Sequence, residues 1–149
     1  MTTRAGKAGQ VRAVEAEVVA LLRRARRATG DRARLIDPAL APVGYQVLAT
    51  VREHDGCSQA FIVEALGMDK GAVSRQVQLL TELGLVEKAE DPADRRACVV
   101  TMSAEGERRM HDLEKERRSA YVARFEDWTV EELTVLAEQL AKYNRTLEK

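Results

Sequence analysis

The feature that most constrains this chain is a change of hydrophobic period at Gly84. Before it, Val73, Val77, Leu80 and Leu83 recur at three- and four-residue steps, the buried stripe of an amphipathic helix. After it the period is extended. Leu85–Glu90 and Ala97–Met102 read as two short strands around the turn Asp91-Pro92-Ala93-Asp94-Arg95-Arg96. Upstream, Ser58 can cap a short helix whose apolar positions Phe61, Ile62, Ala65 and Leu66 cluster on one side. Gly67 ends that helix, and Asp69 caps the next one after a short turn, the helix-turn-helix arrangement. A hairpin with arginines at its tip, placed directly behind such a pair, predicts a winged helix, an element that reads DNA.

The charge total is neutral, with 24 Lys plus Arg against 24 Asp plus Glu in 149 residues. Affinity for nucleic acid must therefore come from where the charges sit. Residues 1–34 hold nine basic and three acidic side chains, a surplus of six that the rest of the chain must balance. Lys70, Arg75, Arg95 and Arg96 fall where a phosphate backbone could meet them, whereas Glu82, Glu87, Glu90 and Asp91 fall on the far half of the helix and the hairpin base. Two distant cysteines and no signal sequence point to a reducing cytoplasm without a disulfide framework. No run approaches eighteen consecutive apolar residues, so no membrane partner is expected. The length suits one compact chain.

Residues 1–9 lack periodicity and read as a disordered tail. Val11, Val14, Val18, Leu21, Ala25 and Ala28 then mark an amphipathic helix of about five turns, with Arg23, Arg24, Arg26 and Arg27 opposite. Those arginines read first as a solvated face, second as an anion-facing strip. Asp37-Pro38 and Ala41-Pro42 break the chain, and Pro42 opens a helix with Val43, Val47, Leu48 and Val51 inward, ending near Gly56. His54 and Cys57 make half a metal site at best, with no CxxC or HxxxH to complete it. No metal or other cofactor is expected. Past Ser103 comes a long polar helix with a sparse apolar face at Met110, Leu113, Ala120 and Tyr121. Thr129-Val130-Glu131-Glu132 is a capping box opening a last helix with Leu133, Leu136, Leu140, Tyr143 and Leu147 on one stripe. The two terminal stripes suit a seam shared with a second copy better than two faces folded back on one chain. The expected fold is mainly α with a small β-hairpin (α+β): a winged helix-turn-helix at 37–102, flanked by dimerisation helices at 10–36 and 103–149.

This order of elements resembles the MarR family of bacterial transcription regulators, over about Val11 to Leu147. The resemblance rests most on Met68-Asp69-Lys70-Gly71-Ala72-Val73-Ser74-Arg75, on the Gly84-Leu85-Val86 exit into the strand, and on Asp91-Pro92-Ala93-Asp94-Arg95-Arg96-Ala97. Met102-Ser103-Ala104-Glu105-Gly106 is similar to the family's start of the following helix, with Met-Ser where Leu-Thr is usual. It implies a homodimer that binds a roughly palindromic operator, often a repressor released by a small ligand or by oxidation.

Physical chemistry assigns the reading roles. The first turns of helix 69–84 would enter the major groove, making Lys70, Gly71, Ala72, Ser74, Arg75 and Gln76 the candidates. Arg75 can pair bidentately with guanine and Gln76 with adenine. Gly71 and Ala72 let the backbone approach, and Ser58 offers a phosphate its hydroxyl. In wing 91–96 the family's Asp-x-Arg pattern falls on Asp94 and Arg96, with Arg96 expected in the minor groove and Arg95 beside it.

The sensing side is less defined. A small-molecule effector would sit near Arg23, Arg27, Tyr45, His54 and His111. The alternative is thiol-based redox sensing at Cys57 or Cys98, although no cysteine lies on the first helix, where the family's peroxide sensors carry theirs. Two rival classes are an enzyme using Cys57 with His54 or His111, for which no third orienting group exists, and a protein-binding adaptor that has lost DNA. The expectation is a regulator with no catalytic activity, whose partners are double-stranded DNA, a second copy and an effector.

Overall fold

The computed structural model describes residues 4–90 and 98–147. The element order is α1 (Arg4–Ile36), α2 (Pro42–Glu53), β1 (Cys57–Ser58), α3 (Gln59–Leu66), α4 (Lys70–Glu82), β2 (Val86–Glu90), β3 (Cys98–Met102), α5 (Ala104–Arg124) and α6 (Val130–Asn144). The chain divides into two compact units, one up to Leu113 and one from Glu114 onward. The expected fold class holds: helices predominate around one small antiparallel sheet.

Within the first unit, local chemistry sets each boundary. The Ser58 hydroxyl accepts the Phe61 N–H at 3.1 Å, and the Asp69 carboxylate accepts the Ala72 N–H at 2.8 Å, so both helices of the turn are capped as the sequence predicts. Gly67 at φ 60° closes α3 in the left-handed region, and Gly84 at φ 69° follows α4 in the same way. The sheet has order β1-β3-β2, with Cys57 opposite Val100 and Val86 opposite Met102. The strand β1 was not expected. Two residues carry too little alternation to register as a strand, and only pairing with β3 makes them one.

The core gathers Ala33, Ile36 and Leu40 with Val47, Leu48 and Val51 of α2, Ile62 of α3, and Val73, Val77 and Leu80 of α4. Leu85, Val86, Val100, Met110 and Leu113 complete it. This is where the apolar spacing of α2 and α4 put it.

Several boundaries differ from the expectation. The first helix is 33 residues long, beginning at Arg4 rather than after Gly9 and running on to Ile36. The added first turns, Arg4 to Gln10, hold two glycines and no apolar stripe, so neither propensity nor periodicity marks them as helix. Its buried end is Gly30, Ala33 and Ile36, not the Val11–Ala28 stripe, most of which is exposed. The second helix stops at Glu53, because Asp55 and Gly56 take positive φ to turn into β1. On α5 only the first turns are packed: Met110 and Leu113 are buried, whereas Ala120 and Tyr121 are exposed. In the second unit, Thr129 and Glu132 form the expected capping box of α6, and none of the α6 residues is buried. Among the described residues, no helix is long and apolar enough to cross a membrane.

A cluster of ions fastens α5 to the end of α1. Arg109 donates to the Ile36 carbonyl at 2.8 Å and to Asp37 at 3.3 Å, supplying a cation where the helix leaves carbonyls unmet. Glu105 accepts from Arg108 at 2.8 Å and from Arg109 at 2.6 Å, and these bonds, that of Arg108 foremost, hold its carboxyl down at about 2. A lowered folded-state pKa stabilises the fold above the ordinary value of 4.5, and that contribution is lost as pH falls through 2. Glu105→Gln should therefore lower the melting temperature at pH 7, with the gap to wild type closing between pH 4.5 and 2 in thermal melts. A gap independent of pH would refute the pairing.

Candidate nucleic-acid interface

The start of α4 is an exposed polar surface. Lys70, Gly71, Ser74 and Arg75 are exposed, while Val73 and Val77 turn inward and Ala72 is half-buried beside them. Gly71 is part of the surface's shape: a Cβ there would stand 3.2 Å from the Asp69 carboxylate and 3.4 Å from Arg75 Nη1. The Arg75 guanidinium therefore lies next to bare backbone at the helix N-terminus. Asp69 is engaged by the Ala72 N–H, and Lys70 and Arg75 form no ion pair among the described residues. By contrast Gln78 donates to Glu82 at 3.0 Å, which leaves the far end of the outer face self-paired and acidic. One helix thus carries cations without an ion pair at its start and a hydrogen-bonded carboxylate at its end. That gradient suits an anionic partner met by the first turns.

Ser58 stands half-buried at the start of α3, its oxygen occupied as an acceptor by the cap and its O–H still able to donate. Asp94, Arg95 and Arg96, together with the rest of wing 91–96, lie outside the described residues. The strands that carry them are paired from Val86–Met102 to Glu90–Cys98. Sequence reasoning passed over Lys88, exposed on β2. The signal was its place in a five-residue strand next to the arginine-bearing turn.

Gln76 departs from the expected arrangement. It is half-buried, its Oε1 has no hydrogen-bond partner, and a Cβ on Gly44 of α2 would lie 2.9 Å from that oxygen. Its amide therefore faces α2 and not the surface shared by Lys70, Ser74 and Arg75.

The residues expected around an effector are not gathered by direct contacts. Arg23 and Arg27 are exposed on α1, His111 is exposed on α5, and Tyr45 packs half-buried against the core. The His54 ring meets Phe61 edge-on at 4.5 Å. None of the five touches another through a hydrogen bond, ion pair or ring contact. Among the described residues no three His, Cys, Asp or Glu side chains stand close enough together to hold a metal ion.

Comparison with known proteins bears on the same stretch. A family model described as MarR family matches residues 40–97, from the end of the α1–α2 connection through the wing. Over residues 40–97 the chain is similar to the MarR family. The HTH-type transcriptional repressor NicR of Pseudomonas putida is 31% identical over 70 residues, covering 47% of this chain and 44% of its own. The transcriptional regulator HosA of Escherichia coli O111:H- is 31% identical over 71 residues, 48% of this chain and 53% of its own. The chain thus spans about half the length of these curated relatives. A crystal structure of a MarR family transcription regulator superposes with a TM-score of 0.80 at 19% identity, covering 97% of this chain and 94% of that one. At that identity it is the fold that is shared, and the shared fold extends to the terminal helices.

Proposed function

We propose that the protein is a homodimeric, DNA-binding transcription regulator and acts as a repressor, with no catalytic activity. The observation that carries this reading is the start of α4, where Lys70, Gly71, Ser74 and Arg75 form an exposed cationic surface on the second helix of a helix-turn-helix. In the proposed complex α4 lies in the major groove, and wing 91–96 reaches the flanking minor groove. Two copies present their α4 helices about 34 Å apart, one turn of DNA, so the operator is a pseudo-palindrome. The names of the matched relatives, a transcriptional repressor and a transcriptional regulator, support the same reading.

A small-molecule effector is proposed to release the DNA by favouring a different spacing of the two α4 helices. A hundredfold release requires about 2.7 kcal/mol of differential affinity between the two geometries. The thiol alternative has less support. Burial pushes the Cys57 thiol up from its ordinary value, away from the reactive thiolate. His54 packs on Phe61 and makes no hydrogen bond with Cys57, which leaves an enzymatic pair without a base.

The test is a binding titration against duplexes selected from a randomised pool by the protein itself. Arg75→Ala should cost about 1–3 kcal/mol per half-site, and the loss should vanish when the opposed base pair is changed. Arg96→Ala should weaken binding to every sequence and flatten the salt dependence, most where the flank is rich in A·T. Equal affinity of wild type for selected and unselected DNA would refute the reading.

A further inference from the structure

Among the described residues the Gln76 amide oxygen is the one buried side-chain N or O atom without a hydrogen-bond partner. It lies beside the inward stripe of Val73, Val77 and Leu80, on the side of α4 that meets α2, and the buried Gly44 makes room for it. With a Cβ at 44, that oxygen would stand at 2.9 Å. An acceptor placed there forgoes both water and a protein donor, which is unfavourable. A base edge would offer what α2 withholds, since an adenine donates from N6 and accepts at N7, matching both ends of a carboxamide.

We propose that Gln76 has two positions, stowed in the Gly44 notch when the protein is free and extended to a base edge when it is bound to DNA. This inference rests on the DNA-binding reading. It adds that one specificity residue is stowed against α2 in the free protein and turns outward when the groove supplies its partner. Gly44 is then a control point as well as a packing glycine, because anything that narrows the notch drives Gln76 outward.

The decisive variant is Gln76→Met, which keeps the length of the side chain and removes the carboxamide. Its melting temperature without DNA should rise by a few degrees, because the unmet oxygen is gone. With the duplex selected by the wild-type protein, it should bind roughly tenfold more weakly and become indifferent to one A·T pair in each half-site that the wild type requires. In nuclear magnetic resonance spectra, the nuclear Overhauser contact between the Gln76 side-chain amide protons and the Gly44 α-protons should be present in free wild type and absent in the complex. Persistence of that contact in the complex, a lower melting temperature, or an unchanged base preference in Gln76→Met would overturn the two-position role while leaving DNA binding intact. Failure of the wild type to select any sequence would remove the regulator reading, and this inference with it.

Discussion

Gly106→Ala should destabilise the protein by about 3 kcal/mol or more, and Gly106→Val should leave no soluble folded chain. A Cβ at 106 would sit 2.0 Å from the Leu85 carbonyl oxygen and 2.9 Å from its carbon, both backbone atoms. That carbonyl cannot give way, because it accepts the Ser103 N–H at 3.1 Å. The buried Ser103 hydroxyl adds a second tie, donating to the Gly84 carbonyl at 2.6 Å and accepting the Gly106 N–H at 3.0 Å. The end of α4, the start of β2 and the first turn of α5 are thus bound at one point. Thermal denaturation checks this, with a fall of about 10 °C expected for Gly106→Ala. Gly9→Ala is the control. Nothing lies within 4 Å of that site, so removing a helical glycine there should leave stability unchanged or slightly raised. Equal melting points for the two variants would refute the close approach.

Leu140→Glu or Leu21→Glu should convert the proposed dimer into a monomer and weaken operator binding at least a hundredfold. On α6 no residue is buried, and Leu140 is 44% exposed. On α1, Val11, Val14, Leu21 and Leu22 are all about half exposed. Single exposed leucines are ordinary, but α1 and α6 each carry several apolar side chains that are exposed or only half-buried, more than a monomer usually shows. A glutamate in such a face would be left unpaired in a dry seam. Sedimentation velocity at micromolar concentration gives the mass of each variant, and the same samples serve for DNA titration. Wild type sedimenting as a stable monomer would sink the dimer and, with it, the palindrome.

Most of the winged helix was legible in the sequence because local signals agreed there. Ser58, Gly67, Asp69 and Gly84 each do the capping or turning that their chemistry suggests, and the apolar periods on either side match the elements found. What was hidden depends on contacts distant along the chain. The strand β1 exists only through its pairing with β3, and the inward turn of Gln76 depends on a glycine 32 positions earlier. The flanking position of Gln76, three residues after Val73 and one before Val77, was the available sign that it borders the core. The length of α1 was hidden for a different reason. Its first turns lack an apolar stripe, so periodicity gave no reason to extend the helix there.

That length has a mechanical consequence. A 33-residue helix measures about 50 Å, and α1 is held to the winged helix at one end only, by Ala33, Ile36 and the Arg109 bond to the Ile36 carbonyl. It is a lever with a short arm clamped to the winged helix and a long arm that carries the face of the proposed dimer seam. Rotating it by roughly 5° about the clamp carries the distal end through about 4 Å, comparable to the rise of a few helical residues. A displacement of a few ångströms imposed on the distal arm returns to the clamp as a few degrees of tilt, applied directly to the body that holds α4.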